Sequence, residues 1–185
     1  MSSFSRRRLI VGGAALTALS ACGNGIGGNG GEVIDSRVDQ TLNFMFSEYP
    51  GTRDLDQKAV GKLVMPVVTE AGLGFGGSYG RGALRIGPTT VDYYSAASLS
   101  GGIQIGAQQF SHVLFFMTEE ALMDFRTSDG WAASADAEYV LNTEAENIRA
   151  ETTTSLAPVI AVIFAQAGLR VGATLEGTKY TRIIP

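Results

Sequence analysis

Residues 71–82 read Ala71-Gly72-Leu73-Gly74-Phe75-Gly76-Gly77-Ser78-Tyr79-Gly80-Arg81-Gly82, and this stretch decides the fold class. Glycine is interspersed there with larger residues, so a stable helix is not expected. Glycine at alternating positions of a strand lets a neighbouring backbone or side chain approach closely, or it marks a bulge or bend. The stretch therefore predicts a β-strand that is bent or closely covered by another segment.

The residues on either side of this stretch also have the pattern of strands. Strand candidates lie at 64–68, 83–86, 90–97, 102–116, 134–142, 152–157, 159–164 and 168–179. Pro66 makes the first of these an edge strand or the start of a strand. Helices are few and do not alternate with strands as in parallel sheets. We therefore expect an α+β domain, with N-terminal helices followed by a glycine-rich, mostly antiparallel β-sheet or barrel-like domain and a short inserted helix.

The first helix is expected from Glu32, with Asp35 or Ser36 as its cap, to Pro50-Gly51, which stops it. Apolar residues recur there at steps of three and four and share one helix face. That face consists of Ile34, Val38, Leu42, Met45 and Tyr49.

Two shorter helices are also expected. One runs from Asp54, a good cap, to about Leu63, with Lys58 and Lys62 on its outer face. The other spans 118–125, because a threonine cap and acidic residues in the first turn favour a helix start. The predicted buried residues of these two helices are Leu55, Ala59, Val60, Leu63, Leu122 and Phe125.

The N-terminus has the pattern of a lipoprotein export signal. Basic residues precede a short apolar stretch, 9–19, and a small-residue cleavage site. The apolar stretch is too short to span a bilayer core, which takes about 20 residues. Leu19-Ser20-Ala21-Cys22 resembles a lipobox, so we expect acylation of Cys22. Cys22 is the only cysteine, and no disulfide can form within the chain.

Arg6 and Arg7 resemble a twin-arginine export signal, and an ordinary Sec signal is the alternative. The expected organisation is a signal peptide at 1–21, a lipidated cysteine with a flexible tether at 22–33, and one domain at 34–185. The protein is expected to be exported and lipid-anchored to the cell membrane or outer membrane, facing the periplasm. Gly23, in place of an aspartate after the cysteine, favours the outer membrane.

The composition is acidic, with 14 basic and 18 acidic residues and a net charge of −4. Removal of residues 1–21 takes away three arginines, which leaves 11 basic against 18 acidic residues and a net charge of −7. Nucleic-acid binding needs a basic surface, so we expect no nucleic-acid partner. With one histidine and one acylated cysteine, no His/Cys metal site can be built, and we expect no metal or cofactor.

Gly72-x-Gly74-x-x-Gly77 matches the dinucleotide-binding fingerprint by its letters, and Asp92 lies where a ribose-binding acid would be sought. The mechanism needs a helix directly after the glycines, so that its N-terminus meets the pyrophosphate. The following residues include two more glycines and do not favour a helix. We therefore interpret the match as accidental.

Gly76-x-Ser78-x-Gly80 matches the nucleophile elbow of hydrolases, which also needs a following helix. His112 is the only histidine, and a triad with Ser78 and an aspartate stays open because triads assemble from distant positions. We favour structural roles for both residues and expect no enzymatic activity.

Four blocks resemble, in order, the SYLF domain family, whose members bind lipids and, in fungi, actin. They are 71–82, Gly101-Gly102-Ile103-Gln104-Ile105-Gly106-Ala107-Gln108, Phe116-Met117-Thr118-Glu119-Glu120-Ala121-Leu122, and Gly168-Leu169-x-Val171-Gly172-Ala173-x-Leu175-Glu176-Gly177. The chain departs from the family at 93–97, where Tyr-Tyr-Ser-Ala-Ala replaces a Trp-Ser-Ala-Pro-like segment, and at 140–147, where an acidic segment replaces a Gly/Pro-rich one.

The resemblance implies a non-enzymatic domain that binds anionic phospholipid or phosphoinositide-like headgroups. The family's basic positions are represented by Arg81 and Arg85, and Lys58 and Lys62 are further headgroup candidates. The expected partners are the membrane, through the lipid anchor, and lipids. The alternatives are a structural or protein-interaction module of the cell envelope, with an unknown envelope protein as partner, and a hydrolase using Ser78 with His112.

Overall fold

Two N-terminal helices, a six-stranded sheet and a short helix inserted between two strands form the regular structure of the described residues. The computed structural model describes residues 28–133, 138–141, 157–164, 175 and 177–185, with the backbone alone at 73–75, 100–107 and 138–141. The helices are α1 (Gly30–Glu48), α2 (Thr52–Lys58) and α3 (Glu119–Thr127). The strands are β1 (Gly61–Ile86), β2 (Thr89–Phe116), β3 (Trp131–Ala132), β4 (Glu138–Leu141), β5 (Val159–Phe164) and β6 (Lys179–Ile183).

The sheet is curled and almost wholly antiparallel, which confirms the expected α+β class. Its order is β3-β6-β2-β5-β4, and β1 pairs with β2 along nearly the full length of both. The first half of β2 also pairs with β6, and its second half with β5. The pairing of β4 with β5 is the parallel exception.

The strand candidates between 64 and 116 prove to be two continuous strands rather than several short ones. They form one long hairpin, and its turn at Gly87 uses a positive φ of 57°, which glycine adopts readily. The register shifts between Met65 and Val68 and between Leu73 and Phe75. Such irregularities bend a strand without ending it, so the glycine-rich middle curves while the hydrogen-bonded ladder continues.

The hairpin folds back on itself, so that the second half of β1 lies close against the first half. A Cβ atom on Gly80 would lie 2.8 Å from the carbonyl oxygen of Val67, and one on Gly82 would overlap the carbonyl oxygen of Val64. Only glycine allows this approach of backbone to backbone. The sequence-based expectation of a bent, closely covered strand is confirmed.

Helix α1 packs its apolar face onto the outer side of the hairpin. The predicted stripe of Ile34, Val38, Leu42 and Met45 is buried against a cluster that includes Val64, Ala83, Val113 and Phe115. Burial of four such side chains contributes roughly 6–12 kcal/mol as an upper estimate, which is enough to hold the helix in place. The helix begins at Gly30, however, so the expectation that Asp35 or Ser36 caps it is wrong.

A second core lies on the inner side of the curled sheet. Phe125 of α3 fits between rings of the sheet, with its centroid 4.9 Å from that of Phe116 and 6.1 Å from that of Tyr180. Helix α3 begins where its sequence predicts, because the Thr118 hydroxyl accepts a hydrogen bond of 3.2 Å from the backbone N–H of Ala121.

The prediction for α2 was wrong at both ends. The helix spans Thr52–Lys58 and its N-cap is Gly51 rather than Asp54. Lys62 and Leu63 lie in β1, because pairing with β2 starts at Gly61. Hydrogen bonding to β2 therefore outweighs the helical pattern of the residues after Lys58.

Several predictions concern residues that the structure does not describe. The signal peptide with Arg6 and Arg7, the lipidated Cys22 and the expected tether up to residue 27 lie outside the described residues. So do most of the strand candidates at 152–157 and 168–179. The upper bound of the tether at residue 33 was wrong, because residues 30–33 already belong to α1. Within the described residues, no helix combines the length and the apolar character that crossing a bilayer requires.

Candidate functional site

A groove of about 300 Å³ lies between α1 and the folded-back part of β1. We call it the arginine groove, because one arginine from each element borders it. Its lining includes Val33 and Arg37 from α1 and Val67, Thr69, Tyr79 and Arg81 from β1.

The two flanks of α1 have different roles. A helix turns about 100° per residue, so Asp35 and Asp39 lie on one flank, while Val33 and Arg37 lie on the other. The aspartate flank faces Arg85, whose guanidinium nitrogens lie 2.5 Å from Asp39 Oδ1 and 3.7 Å from Asp35 Oδ1. Asp35 and Asp39 are thereby turned away from the arginine groove, and Arg37 remains beside it.

A polar cluster fixes the rotation of α1 that creates these flanks. Asp35 accepts hydrogen bonds of 2.8 Å from the Tyr93 hydroxyl and 2.7 Å from the Thr90 hydroxyl. Burial, and then the hydrogen bond to the carboxylate, raise the pKa of Tyr93 to about 12. The phenol therefore stays protonated and keeps donating to Asp35 at any physiological pH.

The two arginines of the groove are exposed and available. Within the described part of the chain, neither Arg37 nor Arg81 forms an ion pair with an acidic side chain, and both are solvent-exposed. A guanidinium offers planar, paired N–H donors that match phosphate or carboxylate oxygens. Two of them at one groove give this acidic protein a local cationic surface.

The other three predicted headgroup candidates are already paired with acids. Lys58 lies 2.9 Å from Asp54, and Lys62 forms an ion pair with Asp56. Arg85 is bound by the aspartate flank of α1, and only 12% of its side chain is exposed.

Arg81 is therefore the one candidate among the four that reaches the groove. Arg37 was missed by sequence reasoning, although its position beside Val33 on the helical wheel was a readable signal.

A second cavity of about 310 Å³ lies near the hairpin turn, bordered by Lys62, Arg85, Gly87 and Pro88. Asp56 also borders it. Both cations here are neutralised by nearby carboxylates, so an added anion would have to displace an existing partner. Within the described residues, the cations of this cavity are therefore paired with acids, whereas those of the arginine groove are not.

Exposed apolar side chains accompany the groove arginines. Val33 is 42% exposed and Tyr79 is 56% exposed. Leu99, on the neighbouring strand, is 96% exposed. The groove thus combines arginines that have no acidic partner among the described residues with exposed apolar side chains.

A family model described as "Las17-binding protein actin regulator", Ysc84, matches residues 97–182. This is a SYLF-domain protein. No curated protein matches the chain. The matched part of the SYLF domain begins in β2 and ends in β6, so α1 and both groove arginines precede it. The family match therefore supports the domain without assigning the groove.

In the SYLF domain, Ser78 and His112 are not hydrogen-bonded to each other, and each has a different partner. The Ser78 hydroxyl bonds to the Ser98 hydroxyl at 2.7 Å, and His112 Nε2 bonds to the Tyr180 hydroxyl at 2.9 Å. Burial lowers the pKa of His112 to about 3, and its Nδ1 has no hydrogen-bond partner in the described structure. The imidazole lies in the core, where no solvent-borne substrate reaches it.

The two glycine motifs lack the helix that their mechanisms need. The SYLF domain continues as strand β1 through both motifs to Ile86, which agrees with their interpretation as accidental matches. Among the described residues, no three histidine, cysteine or acidic side chains converge to hold a metal ion.

Proposed function

We propose that this SYLF domain is a non-enzymatic module that binds the anionic headgroups of phospholipids at the arginine groove. The observation that carries the proposal is the placement of Arg37 and Arg81, both exposed and unpaired among the described residues, at one groove. We further propose that the chain is an exported lipoprotein, acylated at Cys22 and facing the periplasm. Attachment to the membrane then needs no contribution from the domain, and lipid recognition serves another purpose.

The chemistry of the groove fits a phosphate headgroup. Its volume of about 300 Å³ is at the small end of ligand sites, which suits a headgroup better than a whole lipid. Without residues 1–21 the chain carries a net charge of −7, so its overall charge does not attract it to an anionic bilayer. Binding must therefore come from the local pair of arginines rather than from the overall charge.

The anchor would keep the groove near the bilayer. Cys22 precedes the first residue of α1, Gly30, by eight residues, which span at most roughly 28 Å in any conformation. Val33 and Arg37 lie in the first two turns of that helix. An acylated Cys22 therefore holds these groove residues within reach of the headgroups of the same membrane.

Vesicle sedimentation tests lipid binding. The chain from residue 23 onward, first shown to be folded by circular dichroism and cooperative unfolding, is mixed at low salt with phosphatidylcholine vesicles with or without phosphatidylglycerol. We expect binding that requires phosphatidylglycerol. The double variant Arg37→Gln/Arg81→Gln should lose about 2 kcal/mol, roughly thirtyfold in partition constant. Lys58→Gln is the matched control, because it removes an exposed charge that is already paired with Asp54.

Absence of wild-type binding to phosphatidylglycerol vesicles would refute the lipid function. The anchor is tested separately by mass spectrometry of the N-terminal peptide from cells. That peptide should begin at an acylated Cys22, and the Cys22→Ala variant should leave the membrane fraction.

A protein-interaction module of the envelope is the second candidate function, and the exposure of Leu99 favours it. The description of the matched family names Las17 binding and actin regulation, which are protein contacts. Photocrosslinking from position 99 in cells should then capture one envelope protein, and vesicles should not compete with it. Crosslinks to lipid alone would exclude this function.

A further inference from the structure

Leu99 stands in solvent although it lies within a long strand. Its side chain is 96% exposed, whereas Tyr94 and Ala96 on the same strand are buried. Its partner across the ladder is Gly77, which has no side chain to cover it. A leucine held this way contributes little to the stability of the fold. Single exposed leucines are ordinary on protein surfaces, so the meaning of Leu99 depends on the residues that lie beside it.

The strand register places Leu99 on the same face as the arginine groove. Antiparallel partners point to the same side of a sheet, so Gly77 with Leu99, Tyr79 with Ala97, and Arg81 with Ser95 form successive steps on one face. Leu99 and Tyr79 are diagonal neighbours there, roughly 7–8 Å apart. Arg81 follows Tyr79 and borders the groove. We call this row the Leu99 face.

The side chains along the Leu99 face change from apolar to charged in the same order as a bilayer does from its acyl chains to its phosphates. The nearly bare leucine comes first, the half-exposed tyrosine second, and the arginine third. Tyrosine prefers the headgroup level of a membrane, and arginine places its charge among the phosphates while its stem stays in apolar surroundings. Arg37, across the groove, adds a second cation at the same end.

Two kinds of partner could pair with arginines beside an exposed leucine: an anionic bilayer or a protein with an acidic surface. The bilayer fits this face better. Among the residues whose side chains the structure describes, Gly77 and Ala97 lie beside Leu99 and Tyr79 on this face, and neither has a polar side chain that could direct hydrogen bonds to a folded partner. Protein interfaces rely on well-packed aromatic or arginine anchors in pockets. A single protruding leucine next to an exposed tyrosine suits a lipid bilayer, because fluid lipids can pack around an isolated side chain.

We propose that the Leu99 face docks on an anionic bilayer, with the Leu99 side chain inserted below the headgroups and Arg81 and Arg37 on the phosphates. This inference rests on the proposed lipid binding and adds the orientation of the domain on the membrane. The side chain at position 99 becomes the point of deepest contact. The domain is thereby fixed in one orientation rather than swinging freely on its tether.

Depth-dependent fluorescence tests this orientation. The chain as processed in the cell is purified in detergent and reconstituted into vesicles of phosphatidylcholine and phosphatidylglycerol, in a Trp131→Phe background that removes the only native tryptophan. Leu99→Trp places a probe at the proposed contact. Met123→Trp is the matched control, because Met123 is also apolar and 59% exposed but lies on α3.

We expect the emission of the probe at 99 to shift to the blue and to be quenched by brominated lipid tails, while the probe at 123 stays solvent-like. In the chain from residue 23 onward, which lacks the anchor and retains Trp131, Leu99→Asp should lower the vesicle partition constant by about tenfold or more. Its unfolding midpoint should change little, since 96% of the Leu99 side chain is exposed in the folded protein. Replacing Arg81 by glutamine should weaken the blue shift at 99.

The failures of the two proposals are distinguishable. If the wild type binds phosphatidylglycerol vesicles but the probe at 99 is no better quenched than the probe at 123, the orientation is refuted and headgroup binding stands. If the wild type does not bind, both proposals fall. A probe at 99 that is shielded only by an envelope protein would also overturn membrane docking.

Discussion

Acid should destabilise this domain through one residue, His112. The imidazole is fully buried, and burial lowers its pKa from 6.5 to about 3. Because the folded-state pKa is depressed, folding excludes a proton that the unfolded chain takes up. The stability of the fold is therefore unaffected above about pH 6.5 and falls as the pH drops from there towards 3.

The magnitude follows from the two pKa values. Between pH 7 and pH 5 the unfolded histidine becomes almost fully protonated while the folded one stays neutral, which removes about 2 kcal/mol of unfolding free energy. Near pH 3 the loss from this residue approaches about 5 kcal/mol. That is a large fraction of the roughly 5–15 kcal/mol by which such domains are stable.

Urea unfolding of the chain from residue 23 onward, followed by tryptophan fluorescence at pH 7 and pH 5, measures the effect. His112→Gln cannot be protonated, and its stability should change between the two pH values by about 2 kcal/mol less than that of the wild type. Tyr180→Phe is the control. It removes the hydroxyl that contacts Nε2 but keeps the imidazole, so the pH dependence should persist.

An equal loss of stability in His112→Gln and the wild type would refute this reasoning. It would mean that His112 takes up a proton without unfolding, through water in the core or a local opening. Hydrogen exchange at the backbone N–H of His112 would then report a local opening whose free energy is much smaller than that of global unfolding.

Three further predictions concern the fold that presents the groove. Gly82→Ala should cost more than about 3 kcal/mol or prevent folding, because the added methyl overlaps the carbonyl oxygen of Val64; thermal unfolding checks this. Asp35→Ala should cost about 1–3 kcal/mol in urea unfolding, since the hydroxyls of Thr90 and Tyr93 lose their acceptor and Arg85 keeps only Asp39 as an acidic partner. Thr118→Ala should cost about 1 kcal/mol, because the N–H of Ala121 loses its cap, and an unchanged midpoint would count against the capping bond.

Local sequence patterns predicted correctly those features that depend only on residues within one helix or strand. The stripe from Ile34 to Met45 predicted the buried face of α1, because periodicity depends only on positions along the same helix. Thr118 likewise predicted the start of α3, since a cap acts over three residues. The end of α2 was missed because strand pairing with β2, from the far end of the hairpin, claims Gly61 and Lys62.

The candidate site shows the same division. Among the predicted cations, Arg85 carries an acidic partner that lies 46 residues away in sequence, Asp39. No local pattern reports such a pairing, so Arg85 and Arg81 were indistinguishable in the sequence. Arg37 was overlooked because it lies among the acids of α1, and only the rotation of the docked helix separates it from them.

The glycine spacing of residues 71–82 by itself determined that this segment is a bent strand rather than a nucleotide-binding or catalytic turn. It did so because both arguments use only residues that are close in sequence. Glycine allows the strand to bend, and Gly80 and Gly82 disfavour the helix that a nucleotide-binding or catalytic turn requires. Only the tertiary structure decided what the bend achieves. Folding β1 back over itself brings Tyr79 and Arg81 beside α1 and leaves Leu99 uncovered, and these contacts depend on distances between segments far apart in the chain.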